Sequence, residues 1–76
     1  MTMSAAIIQE RIQAKLPNAI VTVTSPDNIH YFAKVTDASF KGKSVLEQHR
    51  IVYATVQDLL ANESIHALKL DTYTPE

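Results

Sequence analysis

The apolar residues of this chain switch from helical to alternating spacing, return to helical spacing, and then alternate again. That rhythm restricts the possible folds more than any other feature. Ala5, Ile8, Ile12 and Leu16 recur three and four apart, which stacks them on one face of a helix over Ser4 to Leu16. Gln9, Glu10, Gln13 and Lys15 fall on or near the other face. Ser4 is placed to cap the start, and Pro17 ends the helix by biasing the residue before it away from the helical region. From Asn18 the period is two: Ala19, Val21 and Val23 alternate with Ile20, Thr22 and Thr24 in a β-branched run. Ser25-Pro26-Asp27-Asn28 reads as a turn, with Pro26 supplying the fixed φ of its second position. A second strand follows over Ile29 to Thr36, with Tyr31, Ala33 and Val35 on one face. So short a connection predicts an antiparallel hairpin.

Asp37 to Lys43 is a connector holding the only glycine, Gly42. Ser44-Val45-Leu46-Glu47 then has the form of a capping box, in which serine and glutamate each satisfy an orphan backbone donor. The helix it opens carries Val45, His49, Val52, Val56 and Leu59 in one stripe, widened by Leu46, Tyr53 and Leu60. The spacing predicts its end near Ala61 or Asn62. A third strand over Ile65 to Thr72 alternates Ile65, Ala67 and Lys69 with His66, Leu68 and Leu70, and Pro75 closes the pattern. The order α-β-β-α-β predicts an α+β domain with a three-stranded mixed sheet. The crossover helix favours a parallel pair and a right-handed connection, with both helices on one face and the other face largely open.

A chain of 76 residues makes one small domain, with no room for a doubly wound fold or a barrel. Its 46% hydrophobic content excludes intrinsic disorder. Seven basic against eight acidic residues give a net charge of −1, which argues against a dedicated nucleic-acid binder. Cysteine is absent, so the chain cannot be a disulfide scaffold, a thiol oxidoreductase, a Cys-ligated zinc module or the sole holder of an all-thiolate iron–sulfur cluster. No apolar run nears the roughly 18 residues of a membrane span, and no signal peptide opens the chain, so a cytoplasmic protein without membrane contact is expected.

Gly42-Lys43-Ser44 has the ending of a phosphate loop, but position 37, where that loop needs glycine, is Asp. An RNA clamp of the GXXG type lacks its second glycine. The expected roles are structural: Gly42 in a tight turn, Ser44 as a cap and Phe40 tucked under the helix. Lys41, Lys43, His49 and Arg50 form a basic cluster near a helix N-terminus, a candidate site for a phosphate, glutathione or an acidic partner surface. The histidines lie on three different elements, which excludes an HExxH site. His49 is expected to be half-buried and hydrogen-bonded, and His30 beside the turn is open to either role. Alternation puts His66 on the face of Leu68 and Leu70, at the edge of the core. Asp27, Asp37, Asp58, Asp71, Glu10, Glu47, Glu63 and Glu76 show no pairing with a histidine base. With little enclosed volume expected as well, nothing supports an enzyme.

Phe40-x-Gly42-x-Ser44, His49-Arg50-x-Val52-Tyr53, Ile65-His66-Ala67-Leu68 and Thr72-x-Thr74-Pro75 resemble, in order and spacing, the signature of BolA-like proteins. The resemblance spans Ser4 to Glu76, and the short turn before His30-Tyr31 is similar to the short-loop, IbaG/YrbA-type subgroup. It implies a class II KH-like α+β fold, in agreement with the order read above. It also implies a non-enzymatic adaptor whose partner is a monothiol glutaredoxin, the two sharing a [2Fe–2S] cluster with glutathione. By this resemblance His66 ligates iron, His30 is the second ligand, and His49 is structural or partner-facing. A chain without thiols can still donate imidazoles to a cluster whose thiolates come from elsewhere. Such mixed ligation raises the reduction potential and requires a neutral ring. The alternative that the resemblance carries is a KH-like, DNA- or RNA-binding transcriptional regulator. The open sheet face is a candidate surface for a homodimer. The family usually continues past Thr-Pro into a helix that opens with an acidic residue and Trp. This chain stops at Glu76 without any Trp, so that helix is expected to be missing or truncated.

Overall fold

The computed structural model describes residues 4–61, 65 and 67–75. Helix α1 (Ala5–Lys15) starts where Ser4 Oγ accepts the Ile7 N–H, and ends as the Leu16 N–H bonds the Ile12 carbonyl. Strands β1 (Ile20–Thr24) and β2 (His30–Thr36) form the antiparallel hairpin, with Val21 opposite Val35 and Val23 opposite Ala33. Helices α2 (Val45–Thr55) and α3 (Gln57–Ala61) lead to β3 (Ala67–Tyr73), which lies parallel to β2 in the sheet order β1-β2-β3.

Alternation decides what the sheet buries. Val21, Val23, Tyr31, Ala33, Val35, Leu68 and Leu70 all turn to one face and pack with Ile8, Ile12, Phe40, Val52, Val56 and Leu59 in a single core. The residues between them point the other way, and Ile20, Phe32 and Tyr73 stand exposed on the open face. The α+β architecture, the mixed sheet and the open face are those expected from the periodicity. Among the described residues no helix is long and apolar enough to cross a membrane.

Several boundaries differ from the sequence reading, each for a local reason. The second helical stretch is not continuous to Ala61 but breaks at Val56, whose N–H bonds Tyr53 instead of Val52. There the Thr55 hydroxyl donates to the Val52 carbonyl at 2.6 Å, taking the acceptor that the Val56 N–H would use in a continuous helix. Val45 and Leu46 are exposed, not on the inward stripe, because α2 meets the core only one turn in, at Gln48. Gln48 and Thr55 hold the buried places beside Val52 and Val56. Strand β3 begins at Ala67, not Ile65: Ile65 is buried with its N–H on the Leu59 carbonyl, outside the sheet ladder. Ile29 likewise belongs to the hairpin loop. The connector contains a 3₁₀ turn, Ala38–Phe40, capped by Asp37 through the Ser39 N–H at 2.9 Å.

Phe40 is fully buried, Gly42 takes the left-handed conformation (φ 81°), and the capping box at Ser44 and Glu47 is present, all as the sequence predicts. Gln48 completes this region. Its amide donates to the carbonyls of Phe40 (3.2 Å) and Lys43 (2.9 Å), and its oxygen accepts the Thr72 hydroxyl at 2.6 Å. One buried side chain thus ties the connector, α2 and β3 together.

Candidate functional site

The loop between β1 and β2 is bound together by side chains acting on backbone groups. Ser25 Oγ accepts the Asn28 N–H at 2.9 Å and donates to the His30 carbonyl at 2.6 Å. Asn28 takes a positive φ of 58°, which asparagine tolerates better than most residues, and its carbonyl accepts the Tyr31 hydroxyl at 2.7 Å. Burial pushes the Tyr31 hydroxyl's pKa up, and the negative charge of Asp27 adds to the effect.

Asp27 is the centre of the loop. Its Oδ1 accepts the N–H groups of Ile29 and His30, each at 2.9 Å, and its Oδ2 lies 2.8 Å from His30 Nδ1. The His30 backbone bond, the His30 ring and the Ile29 N–H together hold the Asp27 carboxyl far below the usual carboxylate range. This corrects the expectation that no acidic residue pairs with a histidine. The pairing was missed because an i, i+3 Asp-His spacing means little until the loop bends the two side chains together. The visible signal was Pro-Asp-Asn, a sequence in which the aspartate side chain readily caps backbone donors two and three residues on.

His30 opens β2, and its side chain is 62% exposed. No described residue engages its Nε2. Its partner in the β2–β3 ladder is Ala67. His66, the residue directly before Ala67 in the chain, lies outside the described residues. An open depression of about 640 Å³ is lined by His30, Phe32, His49, Tyr53, Ala67 and Lys69, among others. His49 stands edge-on to Tyr53, ring centroids 6.5 Å apart, and Tyr53 donates its hydroxyl to the Leu68 carbonyl at 2.8 Å. His49 is half-buried as expected, and among the described residues its ring makes an aromatic contact and not the expected hydrogen bond.

The four residues of the basic cluster do not all line the depression. His49 lines the depression, whereas Lys41, Lys43 and Arg50 stand exposed outside its lining and make no ion pair among the described residues. Nor do any three metal-ligating side chains converge among the described residues. The donor set that is visible is one exposed imidazole with one nitrogen held and the other open. That set suits a metal or cluster that takes most of its ligands from other molecules, and does not suit a self-contained site.

A family model for BolA-like proteins matches residues 4–76. The chain belongs to the BolA-like family. A solved BolA homologue from Coxiella burnetii is 32% identical, with a TM-score of 0.84 over 96% of this chain and 92% of that one. Yeast Fra2 is 31% identical, with a TM-score of 0.74 over 97% and 82% of the two chains. The protein RP812 of Rickettsia prowazekii is 27% identical over 95% of each chain. As a BolA-like protein the chain carries the mixed three-stranded sheet and the helices of these relatives, and the His30 loop sits at the start of its central strand.

Proposed function

We propose that this BolA-like protein is a non-enzymatic adaptor that binds a monothiol glutaredoxin and co-ligates a [2Fe–2S] cluster as cargo, for iron–sulfur trafficking or iron sensing. The observation that carries this reading is His30: its ring is exposed, its Nδ1 is held by Asp27, and its Nε2 has no partner among the described residues. Its ladder partner Ala67 directly follows His66, which the family resemblance gives as the other ligand. The absence of cysteine fits a division of labour in which glutaredoxin and glutathione supply thiolates and this chain supplies imidazoles. The rim of the depression, with Tyr53 and half-buried His49, offers a partner an apolar edge beside the ligand.

The test is anaerobic assembly of the chain with a monothiol glutaredoxin, glutathione, iron and sulfide, followed by visible absorption and circular dichroism. The wild type is expected to change the spectrum of the glutaredoxin-bound cluster, and His66→Ala and His30→Ala to abolish or reduce that change. An unaltered spectrum with His66→Ala in a complex that still forms would refute the assignment.

A further inference from the structure

We propose that Asp27 is a positioning residue that holds the His30 ring as its Nδ1–H tautomer and thereby presents Nε2 as the ligand atom. This rests on the cluster-binding reading of the same site. Ionised, Asp27 can only accept. Its Oδ1 is committed to the N–H groups of Ile29 and His30, which leaves Oδ2 for the ring. A neutral imidazole 2.8 Å from that oxygen must place its proton on Nδ1, so its lone pair is at Nε2. The same carboxylate therefore grips His30 by both its backbone and its ring, which limits the rotation of the side chain. Ser25 fixes the His30 carbonyl from the other side.

Fold stability gives little reason for the ring contact. Exposed pairs of this kind contribute little in water, and the backbone bonds to Oδ1 already close the loop without Oδ2. A carboxylate on the second nitrogen of a metal-binding histidine, by contrast, orients the ring and raises its basicity.

Asp27→Asn separates the two roles. Asparagine keeps an oxygen for the two backbone N–H groups but presents an NH₂ group to the ring, so Nδ1 must accept and the proton moves to Nε2. Long-range ¹H–¹⁵N correlation of the full chain, above the pH at which the ring is charged, reads the tautomer directly, with His30→Ala to assign the signal. The wild type is expected to show Nδ1–H and the Asp27→Asn variant mainly Nε2–H, with backbone amide shifts altered only around the loop. In the glutaredoxin assembly, Asp27→Asn is expected to raise about 10-fold or more the concentration of chain needed for the spectral change.

An Nε2–H wild type, or an unchanged tautomer in the variant, overturns the proposal whatever the cluster does. If His30→Ala weakens assembly and Asp27→Asn does not, positioning fails while the cluster reading stands. If neither variant alters the spectrum, His30 is not a ligand, and the proposal falls together with that part of the reading.

Discussion

In the loop before β2, Asp27 accepts two backbone N–H groups through one oxygen and keeps the other for a histidine ring. In the turn before α2, Ser44 accepts the Glu47 N–H, Glu47 reaches back to the Ser44 N–H, and buried Gln48 donates to the carbonyls of Phe40 and Lys43. Both turns use short polar side chains to satisfy backbone donors. They differ in what is left over. The second network closes on itself and on the core, so its bonds serve the fold. The first lies in solvent and ends on an imidazole whose other nitrogen has no partner among the described residues. The same capping chemistry can therefore serve stability or function, depending on whether its last group is buried against the chain or offered to a partner.

The largest effect that tests this contrast is expected from Gln48→Ala. It strands the Lys43 carbonyl and the Thr72 hydroxyl near the core, while the Phe40 carbonyl keeps only the Lys43 N–H, and should cost about 2 kcal/mol in urea unfolding. A loss near zero would mean that the closed turn is not what joins α2 to β3. Ser44→Ala and Gly42→Ala come next, at about 1 kcal/mol each: one loses a cap, the other forces a Cβ into a left-handed conformation. The space around Gly42 is open, so its penalty is conformational and a Gly42→Asn variant should recover part of it. None of these changes should alter the glutaredoxin cluster spectrum once folding is complete, whereas Asp27→Asn should alter it with the smaller shift in urea midpoint. A reversal of those two patterns would break the comparison.

The smallest expected effect lies at the Arg11–Asp58 pair, which joins α1 to α3 at 2.6 Å on the surface. The Arg11 hydrogen bond holds the Asp58 carboxyl below its ordinary value. A depressed folded-state value means that the pair's contribution is full above the ordinary carboxylate range and is lost as pH falls through the folded value. The difference between wild type and Asp58→Asn, followed by urea midpoints, should therefore be small at neutral pH, vanish in acid, and shrink with added salt. Asp27 has the same sign, so acid should loosen the hairpin loop as well.

Much of this fold was legible in the sequence because it rests on periodic burial and on local bonds. The inward sets Val21-Val23, Tyr31-Ala33-Val35 and Leu68-Leu70 follow from alternation, and the capping box follows from four adjacent residues. The break at Val56 and the burial of Gln48 were not legible. A polar residue on a helix is read as solvated until carbonyls from a distant turn and a hydroxyl from the last strand converge on it.

The candidate site divides in the same way. Its residue types came from the chain itself: three histidines far apart in the sequence, and no thiol anywhere. Which nitrogen of the His30 ring is held was decided in three dimensions. Only the folded loop brings Oδ2 of Asp27 to Nδ1 of His30, and only the parallel ladder sets His30 beside Ala67. Periodicity and capping act over a few residues and leave their record in the sequence. A ring's bonding partners depend on backbone torsions and on contacts between distant elements, which no local spacing records.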